Sequence, residues 1–147
     1  MKIEYLQANW ICYSQDDWLR KMVIGTCLNV CSGMSKIGDE RIDIAEKTNR
    51  TLEGDLFKLN YVPRSFDTVI CDPPYSYYNR FKWALKLSDI ANSRLILASG
   101  LLSPRLPKRN WKRELWYDNS HRSPTGGRRI MLKLWWVFNR LNYPLKA

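Results

Sequence analysis

Compact apolar runs bounded by turn residues recur through the middle of the chain, at residues 26–31, 41–45, 68–71 and 94–99. Their short length and β-leaning composition predict four strands. Residues 78–91 repeat apolar side chains at helical spacing, which predicts a helix. The apolar positions of this helix are Phe81, Ala84, Leu85 and Leu87. Strand, helix and strand in this order indicate a parallel α/β sheet.

A short helix is also predicted near the start of the chain, at residues 14–22. Ser14 is a suitable N-cap, and the acidic pair at positions 16 and 17 suits the positive end of the helix dipole. The basic pair at positions 20 and 21 suits its negative end. These signals together favour a capped helix of about two turns.

The last third of the chain has a different pattern. A link rich in proline and basic residues leads into a short apolar run, a polar loop that contains glycine, and a second apolar run. These segments are residues 104–113, 114–117, 118–129 and 130–138. Two apolar runs joined by a polar loop predict a long antiparallel hairpin that closes one edge of the sheet.

The fold class that these elements predict is α/β: a Rossmann-like sheet, mostly parallel, with a C-terminal antiparallel hairpin. Only residues 34–40 separate Gly33 from the strand that begins at residue 41. A helical crossover needs about a dozen residues, so the first crossover helix is expected to be shortened or missing. We expect one domain, built from an N-terminal helical segment, a core that carries the candidate site, and a basic hairpin region: residues 1–25, 26–100 and 101–147.

The composition is that of a globular protein. Hydrophobic residues make up 45% of the chain, and no apolar stretch approaches the roughly 20 residues that span a bilayer. The first ten residues lack the positive and then apolar pattern of a secretory signal. We therefore expect a cytoplasmic protein with no membrane partner.

The cysteines do not favour a metal site. Those at positions 12, 27, 31 and 71 form no Cys-x-x-Cys pair, and His121 is the only histidine. A zinc site would need all four thiolates to converge. Reduced, buried thiols are the better interpretation, and we expect no metal.

The tetrad Asp72-Pro73-Pro74-Tyr75 follows a predicted buried strand and precedes a predicted helix. The amino-methyltransferases that this tetrad resembles act on an exocyclic amino nitrogen, which is a poor nucleophile because its lone pair is delocalised into the ring. Hydrogen-bond acceptors on both N–H groups favour its reactive, pyramidal form, and the Asp72 carboxylate and the Pro73 carbonyl can supply them. The two prolines fix the backbone before a substrate arrives, and Tyr75 offers a flat face on which an extruded base can stack.

This arrangement resembles the amino-methyltransferases of the Asp/Asn-Pro-Pro-aromatic type, which methylate adenine N6, cytosine N4 or guanine N2 in DNA or RNA. The resemblance covers about residues 28–100. It implies a class I methyltransferase fold and S-adenosylmethionine as cofactor. It also implies catalytic roles for Asp72, Pro73, Pro74 and Tyr75.

The resemblance also implies a cofactor site. In that family a glycine-bearing turn after the first strand approaches the methionine part of the cofactor, and here this turn is Cys31-Ser32-Gly33. An acid at the end of the second strand takes the ribose hydroxyls, which maps to Asp43, with Glu46 in reserve. An acid after the third strand takes the adenine amino group, which maps to Asp55. Ser35 stands where the turn usually carries a second glycine, and no Gly-x-Gly-x-x-Gly is present to suggest a nicotinamide cofactor.

Positive charge is concentrated near the C-terminus. Residues 101–147 hold 11 Lys/Arg and 2 Asp/Glu, which is +9 of the net +10 of the chain. Such charges can neutralise phosphates while Trp111, Trp116 and Tyr117 stack on bases. The expected nucleic-acid contacts are Lys108, Arg109, Lys112, Arg113, Arg122, Arg128 and Arg129.

The expected function is methyl transfer to a base amino group, with DNA adenine N6 or cytosine N4 favoured and an RNA base as the alternative. A chain of 147 residues has little room for a target-recognition region, so sequence choice is modest or is supplied by a partner subunit. The shortened first crossover also leaves open a non-catalytic nucleic-acid-binding module on a degenerate methyltransferase fold. Methylation of a protein amide is disfavoured by Asp72 and by the basic C-terminal third.

Overall fold

The computed structural model describes residues 8–11, 14–73, 80–98, 104–122 and 130–141, which form one eight-stranded sheet with two α-helices. The strands are β1 (Ala8–Trp10), β2 (Cys27–Val30), β3 (Glu40–Asp43), β4 (Leu52–Glu53), β5 (Phe66–Cys71), β6 (Ala91–Ala98), β7 (Trp111–Arg122) and β8 (Ile130–Arg140). The α-helices are α1 (Gln15–Met22) and α2 (Arg80–Ile90), and a 3₁₀ helix spans Leu56–Lys58.

The order of strands across the sheet is β1-β7-β8-β6-β5-β2-β3-β4. Strand β8 runs antiparallel to its neighbours β6 and β7, and the other five pairs are parallel. The run β4-β3-β2-β5-β6 has the doubly wound order, which reverses between β2 and β5. The predicted fold class is therefore confirmed: a mostly parallel Rossmann-like sheet with an antiparallel C-terminal hairpin.

Helix α1 covers one face of the sheet. The hydroxyl of its cap, Ser14, accepts a hydrogen bond from the Asp17 N–H at 3.3 Å. The helix buries Trp18 and Leu19, and the Trp18 ring packs on Trp135 of β8 with centroids 5.4 Å apart. The helix predicted at residues 14–22 is confirmed, with Ser14 as its cap.

Helix α2 covers the other face with Trp83, Ala84 and Leu87. The sequence pattern placed Leu85 on the inner face, but this side chain is 45% exposed. On the buried face Leu87 follows Trp83 by four residues, and Ile90 follows Leu87 by three. Leu85 lies about 200° around the helix from Trp83 and therefore faces away from the sheet. None of the described helices is long and apolar enough to cross a bilayer.

The C-terminal hairpin is longer than the sequence predicts. Strand β7 continues through Asp118 to Arg122, where a loop was expected, and it pairs with β8 as far as Arg122↔Ile130. The register shifts between Asp118 and His121. Antiparallel pairing uses backbone groups, so polar side chains do not end a strand that extends past the apolar core.

The edge of the sheet also differs from the prediction. The hairpin does not close it, because β1 pairs in parallel outside β7, from Ala8↔Leu115 to Trp10↔Tyr117. The segment 1–25 was expected to be helical only. A three-residue strand is too short to show the alternation of apolar and polar residues that predicts a strand. Its contacts also lie far away in sequence: the Asn9 amide donates to the Leu115 carbonyl, 106 positions along the chain.

No helix connects β2 to β3, since residues 31–39, all of which the structure describes, form only turns and bends. Side chains hold this short connection. The Asn29 amide donates to the Ile37 carbonyl at 2.9 Å, and the Asp39 carboxylate accepts from the Cys27 N–H at 2.8 Å. The predicted loss of the first crossover helix is confirmed.

Candidate active site

A cleft of about 430 Å³ opens at the carboxyl ends of the parallel strands. Its walls come from the first turn of α1, the loop after β2, the ends of β3, β4 and β5, and one side chain of β8. In doubly wound sheets ligands bind where the strand order reverses, which here is between β2 and β5. The volume lies within the range of small-molecule sites.

The turn after β2 forms one wall of the cleft. Cys31 and Gly33 have φ angles of 55° and 53°, in the left-handed region that favours glycine. The Gly33 N–H donates to Asp43 Oδ2 at 2.8 Å. A Cβ placed on Gly33 would meet no atom within 4 Å. The backbone angle, and not crowding, therefore favours glycine here, and the backbone stays open to the cleft.

Hydrogen bonds to Asp16 of helix α1 hold this turn in place. The Ser35 hydroxyl donates to Asp16 Oδ1 at 2.6 Å, and the Lys36 N–H donates to the other oxygen of Asp16 at 3.1 Å. The same hydroxyl accepts from the Ile37 N–H at 3.2 Å. Ser35, which replaces the second glycine expected from the resemblance, is thus a buried link between the turn and the helix.

Two half-buried carboxylates line the cleft, one at the end of β3 and one in the segment after β4. Asp43 accepts from the Ala45 N–H at 2.9 Å as well as from Gly33, which fixes its orientation. Asp55 caps the 3₁₀ helix by accepting from the Phe57 N–H at 3.0 Å through Oδ1. Among the described residues, Oδ2 of Asp55 has no hydrogen-bond partner. Both acids can accept further hydrogen bonds from a ligand.

Beside the turn after β2, the cleft also contains a buried hydroxyl group and two apolar side chains. Ser32 is buried, and its Oγ has no partner within the described part of the chain. Met34 and Ile44 line the cleft although they are 69% and 65% exposed. Large apolar side chains that stay exposed beside hydrogen-bonding groups are typical of a ligand site.

The end of the cleft beside β5 and β8 contains an ion pair. Asp72 follows β5, and its N–H donates to the Val30 carbonyl at 3.3 Å, which continues the pairing with β2. Its Oδ2 accepts from the ammonium of Lys133, which also donates to Gln15 Oε1 at 3.0 Å and lies 4.8 Å from the centre of the Trp135 ring. Lys133 is 5% exposed and Asp72 29% exposed. The carboxylate of the tetrad is therefore held by a buried cation.

Two thiols lie beside the cleft. Burial and the hydrogen-bonded thiol of Cys31 raise the pKa of Cys71 well above its usual value, so this thiol stays neutral and is a poor nucleophile. Away from the cleft, burial and Asp39 raise the pKa of Cys27 to about 12. Over the part of the chain that the structure describes, no three His, Cys, Asp or Glu side chains group as metal ligands.

The structure brings most of the predicted cofactor and catalytic residues to this one cleft. They are Cys31, Ser32, Gly33, Asp43, Asp55, Asp72 and Pro73. Pro74 and Tyr75 lie outside the described residues. Glu46, the reserve candidate for the ribose, is exposed and does not line the cleft.

The predicted nucleic-acid contacts are divided between the two ends of β7. Four exposed residues lie near its start: Lys108, Arg109, Lys112 and Arg113. Because β7 runs in the same direction as β2 and β5, its start lies at the edge opposite the cleft. Asp118 of β7 pairs with Lys133, which lines the cleft, and Lys112 lies six positions before Asp118. Six residues of strand place Lys112 about 20 Å from this part of the cleft.

The end of β7 lies on the cleft side. Arg122 is its last residue, and Arg128 and Arg129 lie outside the described residues. Trp111 was expected to stack on bases, but it is buried and is covered by the Arg140 guanidinium at 4.3 Å from the ring centre. That expectation is wrong, because the ring already packs in the core.

Sequence reasoning missed several residues of the cleft, among them the polar side chains of Gln15 and Lys133. Lys133 did leave a signal, since it is the only charged residue in the apolar run 130–138 and lysine is rarely buried without a partner. Gln15 left none, because a polar residue in a first helical turn is ordinary.

Known proteins resemble this chain in structure. Neither a scan against protein-family models nor a search of curated proteins finds a match for the chain. Among solved structures, the chain is similar to the "putative methylase HI0767" from Haemophilus influenzae, with a TM-score of 0.48 and 11% identity. The similarity covers 90% of this chain and 91% of the other. At this identity and TM-score it identifies no family.

Proposed function

We propose that this chain is an S-adenosylmethionine-dependent methyltransferase that acts on the exocyclic amino group of a nucleic-acid base. Adenine N6 or cytosine N4 in DNA is the favoured acceptor. One observation carries the proposal: the turn Cys31-Ser32-Gly33, the acids Asp43 and Asp55, and Asp72-Pro73 line a single cleft. Separate stretches of sequence supply them, and the cleft lies where doubly wound sheets bind ligands.

The residues at the glycine-turn end suit the cofactor. The unsatisfied Ser32 hydroxyl can bind its amino-acid part, and the absence of a side chain at Gly33 leaves space for it beside the turn. Asp43 and Asp55 can accept hydrogen bonds from ribose hydroxyls and from the adenine amino group, and Ile44 offers apolar contact to the adenine ring. When bound, the cofactor supplies a methyl group on a positively charged sulfur.

Asp72 and Pro73 suit the acceptor. Oδ1 of Asp72 has no partner among the described residues, and together with the Pro73 carbonyl it can accept from the two N–H groups of a base amino group. These hydrogen bonds localise the lone pair on nitrogen. Asp72 and Pro73 would hold this nitrogen toward the methyl group that the bound cofactor would supply, and the Asp72 carboxylate would take the proton that the nitrogen releases on methylation.

Methyl transfer can be tested directly with cofactor labelled in its methyl group. The protein is incubated with separate DNA, RNA and protein pools, and the products are hydrolysed and separated. Label in N6-methyladenine or N4-methylcytosine of DNA supports the proposal, whereas label only in RNA supports the alternative acceptor. Label in neither nucleic acid contradicts the function.

Replacing Asp55 by alanine is expected to weaken cofactor binding by about 1.5–3 kcal/mol, the contribution of a hydrogen bond to a charged group. Isothermal titration calorimetry with the cofactor or its demethylated product measures this change. Glu46→Ala is the matched control, because Glu46 is an exposed acid that does not line the cleft. Equal effects of the two changes would remove Asp55 from the site, and no binding by the parent protein would contradict the enzymatic proposal.

The end of the hairpin, on the cleft side, is expected to hold the nucleic acid. Replacing Arg122, Arg128 and Arg129 together by alanine should flatten the slope of log affinity against log salt by about 2–3 units, since each arginine neutralises one phosphate. Fluorescence anisotropy with a labelled oligonucleotide measures the slope. Cofactor affinity should not change.

A control of equal charge tests the position of this contact. It removes three exposed cations near the start of β7: Lys108, Arg109 and Lys112. These residues lie at the edge opposite the cleft, so the slope should change by less than about 1 unit. A larger effect of the control than of the hairpin variant would place the nucleic acid on the opposite edge.

A further inference from the structure

Lys133 is a buried cation in the otherwise apolar run 130–138 of β8. Its side chain is 5% exposed. The next two residues along the strand, Leu134 and Trp135, are buried in the core. A buried charge is costly unless it is paired and hydrogen-bonded. Such a residue in a cleft therefore calls for an explanation beyond packing.

The side chain of Lys133 reaches Asp72 across an intervening strand. It starts on β8, whereas Asp72 follows β5, and β6 lies between them. On β6 the nearest described residue is Ala98, opposite Trp135, and its small side chain leaves room for the lysine to cross. The geometry thus brings an ammonium to the carboxylate of the tetrad from the side opposite the glycine turn.

Two of the three N–H groups of Lys133 have acceptors, Asp72 Oδ2 and Gln15 Oε1. The third has no acceptor among the described residues, and Lys133 lines the cleft. On the same carboxylate, Oδ1 of Asp72 also has no described partner. The cleft therefore presents one open acceptor and one open donor side by side.

We propose that this pair reads the acceptor base: Asp72 accepts from the amino group while Lys133 donates to the ring nitrogen next to it on the Watson–Crick edge. This inference rests on the proposed function and assigns the specificity to a residue of β8. Adenine presents N6–H beside N1, and cytosine presents N4–H beside N3, so both offer a donor next to an acceptor. Guanine presents N2–H beside N1–H, and its N1–H would face an N–H of Lys133. The pair therefore selects adenine or cytosine and rejects guanine.

The inference can be tested by removing the ring nitrogen from the substrate and the ammonium from the protein. Oligonucleotides that carry one adenine or one 1-deazaadenine are methylated by the parent protein and by Lys133→Met, and kcat/KM is compared. The parent should lose about 10- to 100-fold on 1-deazaadenine, the effect of one hydrogen bond to a charged group. The variant, which has already lost the donor, should lose less than about threefold.

Two controls make this comparison specific. Lys21→Met removes an exposed lysine from the last turn of α1, at the end of the helix away from Gln15 and the cleft, and should behave as the parent does. 7-Deazaadenine removes the acceptor on the other side of the amino group and should be methylated by the parent at nearly the rate of adenine. This second comparison needs no variant, so it holds even where Lys133→Met fails to fold.

Equal losses on 1-deazaadenine by the parent and Lys133→Met would overturn the inference, as would a larger loss on 7-deazaadenine or preferred methylation of guanine N2. All three results would leave the methyltransferase function intact. A parent protein that methylates no base at all would instead contradict the proposed function. The two failures are therefore distinguishable.

Discussion

Replacing Asp72 by alanine is expected to lower the rate of methyl transfer by at least about 100-fold while cofactor affinity changes little. In the proposed function the carboxylate faces the amino group of the base and contributes mainly in the transition state, where a positioned acceptor of a proton contributes about 10²–10⁴-fold. Single-turnover kinetics at saturating cofactor measure the rate, and calorimetry measures the affinity. A variant that keeps more than about a tenth of the parent rate would remove Asp72 from this role.

Asp17→Ala is the control for this change. Asp17 is an exposed acid in the first turn of α1, and in the described part of the chain its carboxylate pairs with Arg20 at 2.9 Å on the helix surface. A surface pair of this kind contributes less than about 1 kcal/mol, so the control should keep the parent rate. Loss of activity in both variants would point to a general effect of charge and not to the cleft.

The same substitution is expected to have the largest effect on stability among the changes considered. Asp72→Ala leaves the buried ammonium of Lys133 without its counter-ion and should lower the free energy of unfolding by about 3–5 kcal/mol. Lys133→Met should lower it by less than about 1.5 kcal/mol, because methionine fills the buried volume and water reaches the Asp72 carboxylate. Urea denaturation monitored by circular dichroism measures both values.

The double variant Asp72→Ala/Lys133→Met separates stability from catalysis. Without either charge, it should be more stable than Asp72→Ala alone, although it has one more substitution. It should still fail to transfer the methyl group, because the Asp72 carboxylate, which is proposed to accept hydrogen bonds and a proton from the base, is gone. Additive losses of stability would show that the ion pair contributes nothing, and restored activity would show that Asp72 acts only through the fold.

Local patterns predicted much of the fold. The strands β2, β3, β5 and β6 coincide with compact apolar runs, and α1 begins at the cap expected at Ser14. Gly33 and Asp43 lie at the ends of the predicted strands β2 and β3, whereas Asp55 follows β4, a two-residue strand that no local pattern predicted. The parallel order β4-β3-β2 brings all three residues into one cleft. Their roles stay predictions.

The features that the sequence did not predict depend on contacts between distant segments. Strand β1 has three residues and is defined by its pairing with β7, which no local pattern encodes. The polar half of β7 is held by backbone pairing with β8, although its side chains favour a loop. Asp72 and Lys133 lie 61 residues apart, so their contact follows from the insertion of β8 beside β6.

The first turn of α1 contacts both ends of the cleft. Asp16 holds the glycine turn through Ser35, and its neighbour Gln15 accepts a hydrogen bond from Lys133 beside Asp72. One peptide unit therefore joins the supports of the two ends. A displacement of the turn reaches Lys133 through this helix without passing through the sheet. If cofactor and base bind at the two ends as proposed, thermodynamic linkage makes any coupling through this connection reciprocal: each would change the affinity for the other by the same factor.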